Sequence, residues 1–175
     1  MDSFVRVFVL GLDPGLSRCG YAVLEPVAGG TGSCTRAVAL GVLTTPADAP
    51  VPERLAELQH DLRCLFDEHP PGVVAVERVL FQVNVRTAMA VGQASGIAMA
   101  EAASRGCPVV QYSPNEVKQA VAGHGAAGKA QVQQMVQTLL GLAVRPSPPD
   151  AADAAALALC HLAMAPALRA AAPVR

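Results

Sequence analysis

Charge is scarce in this 175-residue chain: 15% of its residues are charged, where about a quarter is usual, and the net charge is −1. No global field advertises a nucleic-acid or membrane partner, so any charge chemistry has to be local. Paired cysteines are lacking as well. Cys19, Cys34, Cys64, Cys107 and Cys160 are odd in number, scattered and without a C-x-x-C pair, which removes a disulfide framework and a zinc ribbon and points to a reducing cytoplasm. A basic leader with an apolar core is missing: Asp2 precedes a short apolar run that already holds Arg6 and stops at Asp13, so secretion is not expected. Long hydrophobic runs are missing too. The longest weakly charged stretch, Ala154 to Leu168, contains His161 and Pro166 and is too short to span a bilayer.

What is present is a 52% apolar composition, with 15 glycines and 14 prolines, enough for one globular core and short of a disordered composition. One domain is expected over residues 1–165, with the Ala/Pro/Arg tail 166–175 weakly ordered. Val5 to Leu12, Gly20 to Leu24 and Arg36 to Thr45 read as three short strands in an antiparallel meander. Glu53 to His69 carries Leu55, Leu58, Leu62, Leu65 and Phe66 at helical spacing and stops at Pro70-Pro71-Gly72. Val73 to Val76 is a continuous apolar strand that runs into Glu77. A helix from an Asn84 cap to Arg105, a strand from Pro108 to Tyr112, and a short helix opened by the Ser113/Glu116 capping box follow. Two further helices, Lys129 to Leu140 and Pro148 to Ala163, close the order. The fold class is α/β: a mixed sheet, three antiparallel strands first and parallel crossovers later, flanked by helices.

Four carboxylates stand in unusual places. Asp13 ends the first strand inside G-L-D-P-G, where turn chemistry alone is an equal explanation. Glu77 is harder to dismiss, since a carboxylate ending a strand as apolar as V-V-A-V needs a partner or a cation; the adjacent Arg78 points to the other face of the strand. Asp150 and Asp153 are spaced i, i+3 at the start of the last helix and share one face, although acidic residues in a first turn also suit the helix dipole. Together, two strand ends and one helix start can bring four mutually repelling carboxylates to one sheet edge. Magnesium or manganese would relieve that repulsion and leave positions for phosphate oxygens, and two such ions serve in-line phosphoryl displacement. The pattern points to metal-dependent phosphodiester hydrolysis.

Of 13 basic residues only Lys118 and Lys129 are lysines, and they flank G-H-G-A-A-G, a loop suited to phosphate contact. Gly123 to Lys129 nearly completes a P-loop, but Ala130 replaces the magnesium-holding Ser/Thr and a helix precedes it, so it reads as a decoy. Phe8, Phe66 and Tyr112 read as core. Leu80 and Phe81, in a loop with Gln82, Asn84 and Arg86, either wedge between bases or cover the adjacent helix. The histidines suggest no metal site; His161, near the end of the last helix, is accounted for by the dipole.

The stretches G-L-D-P-G-L-S-R-C-G-Y, A-V-E-R-V-L-F-Q-V-N, G-Q-A-S-G-I, P-N-E-V-K-Q-A-V-A-G-H-G-A-A-G-K-A-Q-V and P-D-A-A-D-A-A-A-L-A resemble, in order and spacing, the RuvC family of Holliday junction resolvases over nearly the whole chain. The resemblance implies an RNase H-like fold and a homodimeric endonuclease with Asp13, Glu77, Asp150 and Asp153 as its metal-binding catalytic tetrad, holding two Mg2+ or Mn2+ ions per subunit. It implies Lys118 and Lys129 near the DNA phosphates. Lys129 begins the helix after the glycine loop and is expected to reach the phosphate beside the metals as a catalytic residue, and because two lysines alone cannot give a steep salt dependence, Arg78 and Arg86 are expected to share the phosphate contacts. Members often carry phenylalanine where this chain has Leu80, with Phe81 one place later, so either residue can take the junction-distorting role. The implied reaction is symmetrical nicking of a four-way DNA junction, leaving 5′-phosphate and 3′-hydroxyl ends, in recombination and repair. A branch-migration motor of the RuvA/RuvB type is the implied partner. Two other readings stay open: a phosphotransferase of the actin/sugar-kinase type, which needs two such domains, and a junction-binding module without catalysis.

Overall fold

The computed structural model describes residues 7–27, 34–79 and 85–171. Its centre is β1 (Phe8–Asp13), in which Val9 and Gly11 face one side of the sheet while Leu10 and Leu12 face the other, the period-two pattern of a strand covered on both faces. β1 pairs antiparallel with β2 (Arg18–Val27), and β2 with β3 (Cys34–Thr44). On its other side β1 runs parallel to β4 (Pro71–Glu77), and β4 to β5 (Val109–Tyr112). The sheet order β3-β2-β1-β4-β5 is therefore the expected meander followed by parallel crossovers.

Among the described residues five helices cover it: α1 (Val51–Glu68), α2 (Val85–Ser104), α3 (Pro114–Ala122), α4 (Lys129–Leu139) and α5 (Pro149–Ala171). α1 and α2 bury Leu58, Leu62, Phe66, Ala94 and Ala98 against Leu10, Leu12 and Val74 on one face. The opposite face takes α5, with α3 and α4 packed beside it. α5 is nearly all alanine where it meets the sheet, because the strands beneath it carry glycine. A Cβ on Gly11 would lie 2.0 Å from the Ala154 carbonyl oxygen. The helix axis thus lies closer to the sheet than larger side chains permit, and Ala151, Ala152, Ala154, Ala155 and Ala158 are buried in the gap.

The expected elements are present with shifted ends. β2 and β4 are longer than their apolar runs, because ladder pairing carries Glu25 and Pro26 along with β3 and Pro71 along with Phe8. The Ser113/Glu116 capping box forms in both directions. α5 continues to Ala171, past both the Ala163 end and the tail boundary expected at 166. His161 consequently lies inside that helix rather than near its end, too far from the last turn for a dipole contact, and its Nδ1 instead meets the Tyr112 hydroxyl at 2.8 Å. Among the described residues no helix is long and apolar enough to cross a membrane.

α1 and α2 are cross-linked by a buried carboxylate. Glu101, 5% exposed, accepts from Gln59 at 2.7 Å, Arg63 at 3.0 Å and Arg105 at 2.7 Å. The hydrogen bond from Arg63 is the largest influence holding its carboxyl below the ordinary 4.5, helped by Gln59 and Arg105 and opposed by burial. Since the folded carboxyl keeps its charge to lower pH than the unfolded one, the cluster stabilises fully above about 4.5 and loses this as pH falls through the lower folded value. Glu101→Gln is expected to cost about 2–3 kcal/mol at pH 7, less than a fully buried pair because Arg63 is 55% exposed. Urea melts at pH 7 and pH 3.5 check it: the gap between wild type and variant should narrow at the acid pH.

Candidate active site

Parallel pairing puts Leu12 of β1 opposite Val76 of β4, so Asp13 and Glu77 end neighbouring strands side by side. On the other flank Asp13 pairs with Gly20 of β2. The first turn of α5 rests on that glycine: a Cβ there would meet the Asp150 carbonyl oxygen at 2.2 Å. Two strand ends and one helix start are thereby joined at one rim. A cleft of about 440 Å³ opens there, lined by Asp13, Glu77 and Asp153 with Lys118 and Lys129, over a floor that includes Val117 and Leu157.

The carboxylates press on one another. Burial, then Glu77, Asp153 and Asp150, push the Asp13 carboxyl up to about 7, with Lys129 opposing. Glu77 is raised by burial and then by Asp153, again opposed by Lys129. Neither Asp13 nor Glu77 accepts a side-chain hydrogen bond from a described residue. Asp150 and Asp153 differ, because each is met by a cation. Lys129, the first residue of α4 after the Gly128 cap, donates from Nζ to Asp153 Oδ2 at 2.6 Å. Arg18 donates from Nε and Nη2 to Asp150 Oδ2 at 3.1 and 2.9 Å. With its lysine on Asp153, this loop preceded by α3 does not form a P-loop.

The donor chemistry fits a hard divalent cation: four oxygen-bearing carboxylates, two of them raised by burial and mutual repulsion and without a hydrogen-bond donor. In the conformation described, no three His, Cys, Asp or Glu side chains among the described residues stand close enough to enclose one ion. Arg18 occupies Oδ2 of Asp150 and Lys129 occupies Oδ2 of Asp153.

Of the other residues singled out, Lys118 lines the cleft. Arg78 is exposed and donates to the Gln111 carbonyl at 3.3 Å. Arg86 is on α2 with its side chain outside the described set, and Leu80 and Phe81 lie outside the described residues altogether. Sequence reasoning missed Arg18 and a triad of Arg54, Thr45 and Ser17. Arg18 was given no role, although it shares a strand face with Gly20. Buried Arg54 donates to Thr45 Oγ1 at 3.0 Å and Ser17 Oγ at 2.6 Å, while Thr45 Oγ1 donates to the Leu16 carbonyl at 2.6 Å, which fixes the loop after Asp13. No local pattern marks such a triad in sequence, since it joins the loop after β1 to the end of β3 and the start of α1.

A family model described as crossover junction endodeoxyribonuclease RuvC matches residues 9–161. A protein of that name from Streptomyces griseus is 52% identical over 159 residues, covering 91% of this chain and 76% of the relative. The solved Thermus thermophilus RuvC structure superimposes with a TM-score of 0.84 at 35% identity, covering 92% of this chain and 96% of that one. A T. thermophilus RuvC in complex with Holliday junction substrate gives 0.83 at 36% identity, covering 91% and 94%. A match spanning the sheet, both helical layers and the carboxylate rim leads to one assignment: this chain belongs to the RuvC family of crossover junction endodeoxyribonucleases and has its RNase H-like fold.

Proposed function

We propose that this protein is a structure-specific endonuclease that resolves four-way DNA junctions by paired symmetrical nicks, through metal-dependent phosphodiester hydrolysis in recombination and repair. The observation that carries the reading is the meeting of Asp13, Glu77 and Asp153 with Lys118 and Lys129 in one cleft. The similarity to a RuvC solved with its Holliday junction substrate supports it. Asp13, Glu77, Asp150 and Asp153 are the residues that would hold two Mg2+ or Mn2+ ions per subunit. Such ions activate the attacking oxygen and stabilise the leaving one. Lys129 places its ammonium beside the reacting phosphate and Lys118 holds a neighbouring one; Arg78 and Arg86 extend the backbone contacts, and Leu80 or Phe81 enters the junction.

A twofold junction calls for two sites related by a matching axis. α2 supports a homodimer: Ala94, Ala98 and Ala102 are buried on the chain's own sheet, while Met89, Gly92, Gln93, Gly96 and Ala100 form an exposed opposite face. A Cβ at Gly92 or Gly96 would meet nothing within 4 Å, so a partner helix can approach closely. A monomeric mass at micromolar concentration with cleavage intact would overturn the dimer. We place the protein in the cytoplasm, consistent with the free Cys19, Cys64, Cys107 and Cys160, and expect a RuvA/RuvB-type motor as partner.

The experiment is incubation with an end-labelled four-way junction and Mg2+ or Mn2+, with and without ATP. Paired nicks with 5′-phosphate ends, independent of ATP, are expected. Phosphoryl transfer that needs ATP would favour the kinase-like reading, and binding without cutting the non-catalytic one. Lys118→Ala and Lys129→Ala should each lower the salt slope of junction binding by about one unit. Lys129→Ala should also slow single-turnover cleavage at saturating protein, by about 10²-fold. A wild-type rate once bound would reduce Lys129 to positioning the DNA.

A further inference from the structure

Arg18 and Gly20 lie two residues apart on β2 and face the same side of the sheet, toward α5. Both act on Asp150. Gly20 lets the Asp150 main chain lie directly on the strand: a Cβ would stand 2.2 Å from its carbonyl oxygen and 3.1 Å from its Cβ. Arg18 grips the side chain, placing Nε and Nη2 on the same oxygen, Oδ2, at 3.1 and 2.9 Å. Oδ1 accepts no hydrogen bond from a described residue. Arg18 is 47% exposed, so the pair adds little to folding, and its consequence is geometric. We infer that Arg18 and Gly20 are positioning residues that fix the Asp150 main chain and carboxylate relative to Asp13, presenting a pre-set donor to a divalent cation. This rests on the reading of Asp150 as a metal ligand given above.

The test uses the full chain. Arg18→Lys keeps the charge and loses the planar two-nitrogen grip; Gly20→Ala changes no charge. Mn2+ binding to the protein alone is measured by calorimetry, and Mn2+ half-saturation by single-turnover junction cleavage. Both variants should weaken Mn2+ by about tenfold in both measurements, the lower end for residues that orient a ligand. Gly41→Ala is the control, because its Cβ would crowd the Tyr21 side chain, 2.6 Å from the hydroxyl and 2.7 Å from the ring, rather than the α5 main chain; its Mn2+ affinity should match wild type. Arg18→Gln is measured in a metal-free salt series, where an unchanged slope is expected. Wild-type Mn2+ affinity in Arg18→Lys overturns the inference, as does a fall of about one unit in the Arg18→Gln slope, which would make Arg18 a phosphate contact. If Gly20→Ala fails to fold, Arg18→Lys decides alone. Asp150→Asn separates the two levels: intact Mn2+ binding there defeats the ligand reading itself, whereas loss there with none in Arg18→Lys defeats only this inference.

Discussion

Asp13→Asn is expected to lower cleavage of a four-way junction by at least about 10³-fold, equivalent to ~4 kcal/mol of barrier, while junction binding without metal is retained. Asp13 is the carboxylate to which the others refer: it ends the central strand, pairs with Gly20 beneath Asp150, and lies beside Glu77. Its carboxyl, pushed up to about 7 by burial and then by Glu77, Asp153 and Asp150, is only partly ionised near neutral pH, and positive charge placed beside it favours the anion. Asparagine keeps the shape and removes the anionic ligand on which, in the function proposed above, metal binding and transition-state stabilisation would depend. The same amide removes a charge that its surroundings disfavour, so the thermal midpoint of the variant in metal-free buffer should equal or exceed that of wild type. That pairing of lost activity with undiminished stability separates the effect from misfolding. Gel-based cleavage at saturating protein and a thermal melt check both halves, and wild-type nicking would remove Asp13 from the reacting group. Glu77→Gln follows the same logic in both halves; Asp150→Asn and Asp153→Asn follow it for cleavage, while each also gives up an ion pair, with Arg18 and Lys129 respectively.

Asp13 and Asp150 each have an ordinary local account, in turn chemistry and the helix dipole, and the carboxylates were legible through their combination with two less ordinary positions. Glu77 ends an apolar run, and Asp153 opens a helix almost devoid of charge. Strand order was legible for a similar reason: short Gly-containing connections join the first three strands, and helix-length segments separate the later ones. What the chain did not disclose is which cation serves which carboxylate. Lys129 and Asp153 are 24 residues apart and Arg18 and Asp150 are 132 apart, and no periodicity links positions that only the docking of α5 brings together. The expected end of α5 at Ala163, before an Ala/Pro/Arg tail read as weakly ordered, falls short of the helix, which runs on to Ala171. The alanines of α5 were read only as weak charge; their reason appears once Gly11 and Gly20 are seen beneath them.

Gly11→Ala should therefore be the most damaging single methyl group that can be added to this sheet. Its Cβ would stand 2.0 Å from the Ala154 carbonyl oxygen and 3.0 Å from both the Ala154 carbonyl carbon and the Ala158 nitrogen. Real contacts at such distances do not occur, so either β1 or α5 has to move. All three obstructing atoms are backbone, and trimming a neighbouring side chain cannot make room. Overpacking a core usually costs 1–3 kcal/mol because side chains can rotate away; here that relief is absent. The loss should reach at least about 3 kcal/mol, lowering the thermal midpoint by roughly 6–12 °C for a chain of this size. Gly41→Ala supplies the contrast, since its added methyl meets the Tyr21 ring, which can turn, and should cost about 1 kcal/mol. Paired thermal melts decide the matter: equal losses in the two variants would mean that α5 yields as easily as a tyrosine ring, and that the glycine floor does not set the distance between helix and sheet.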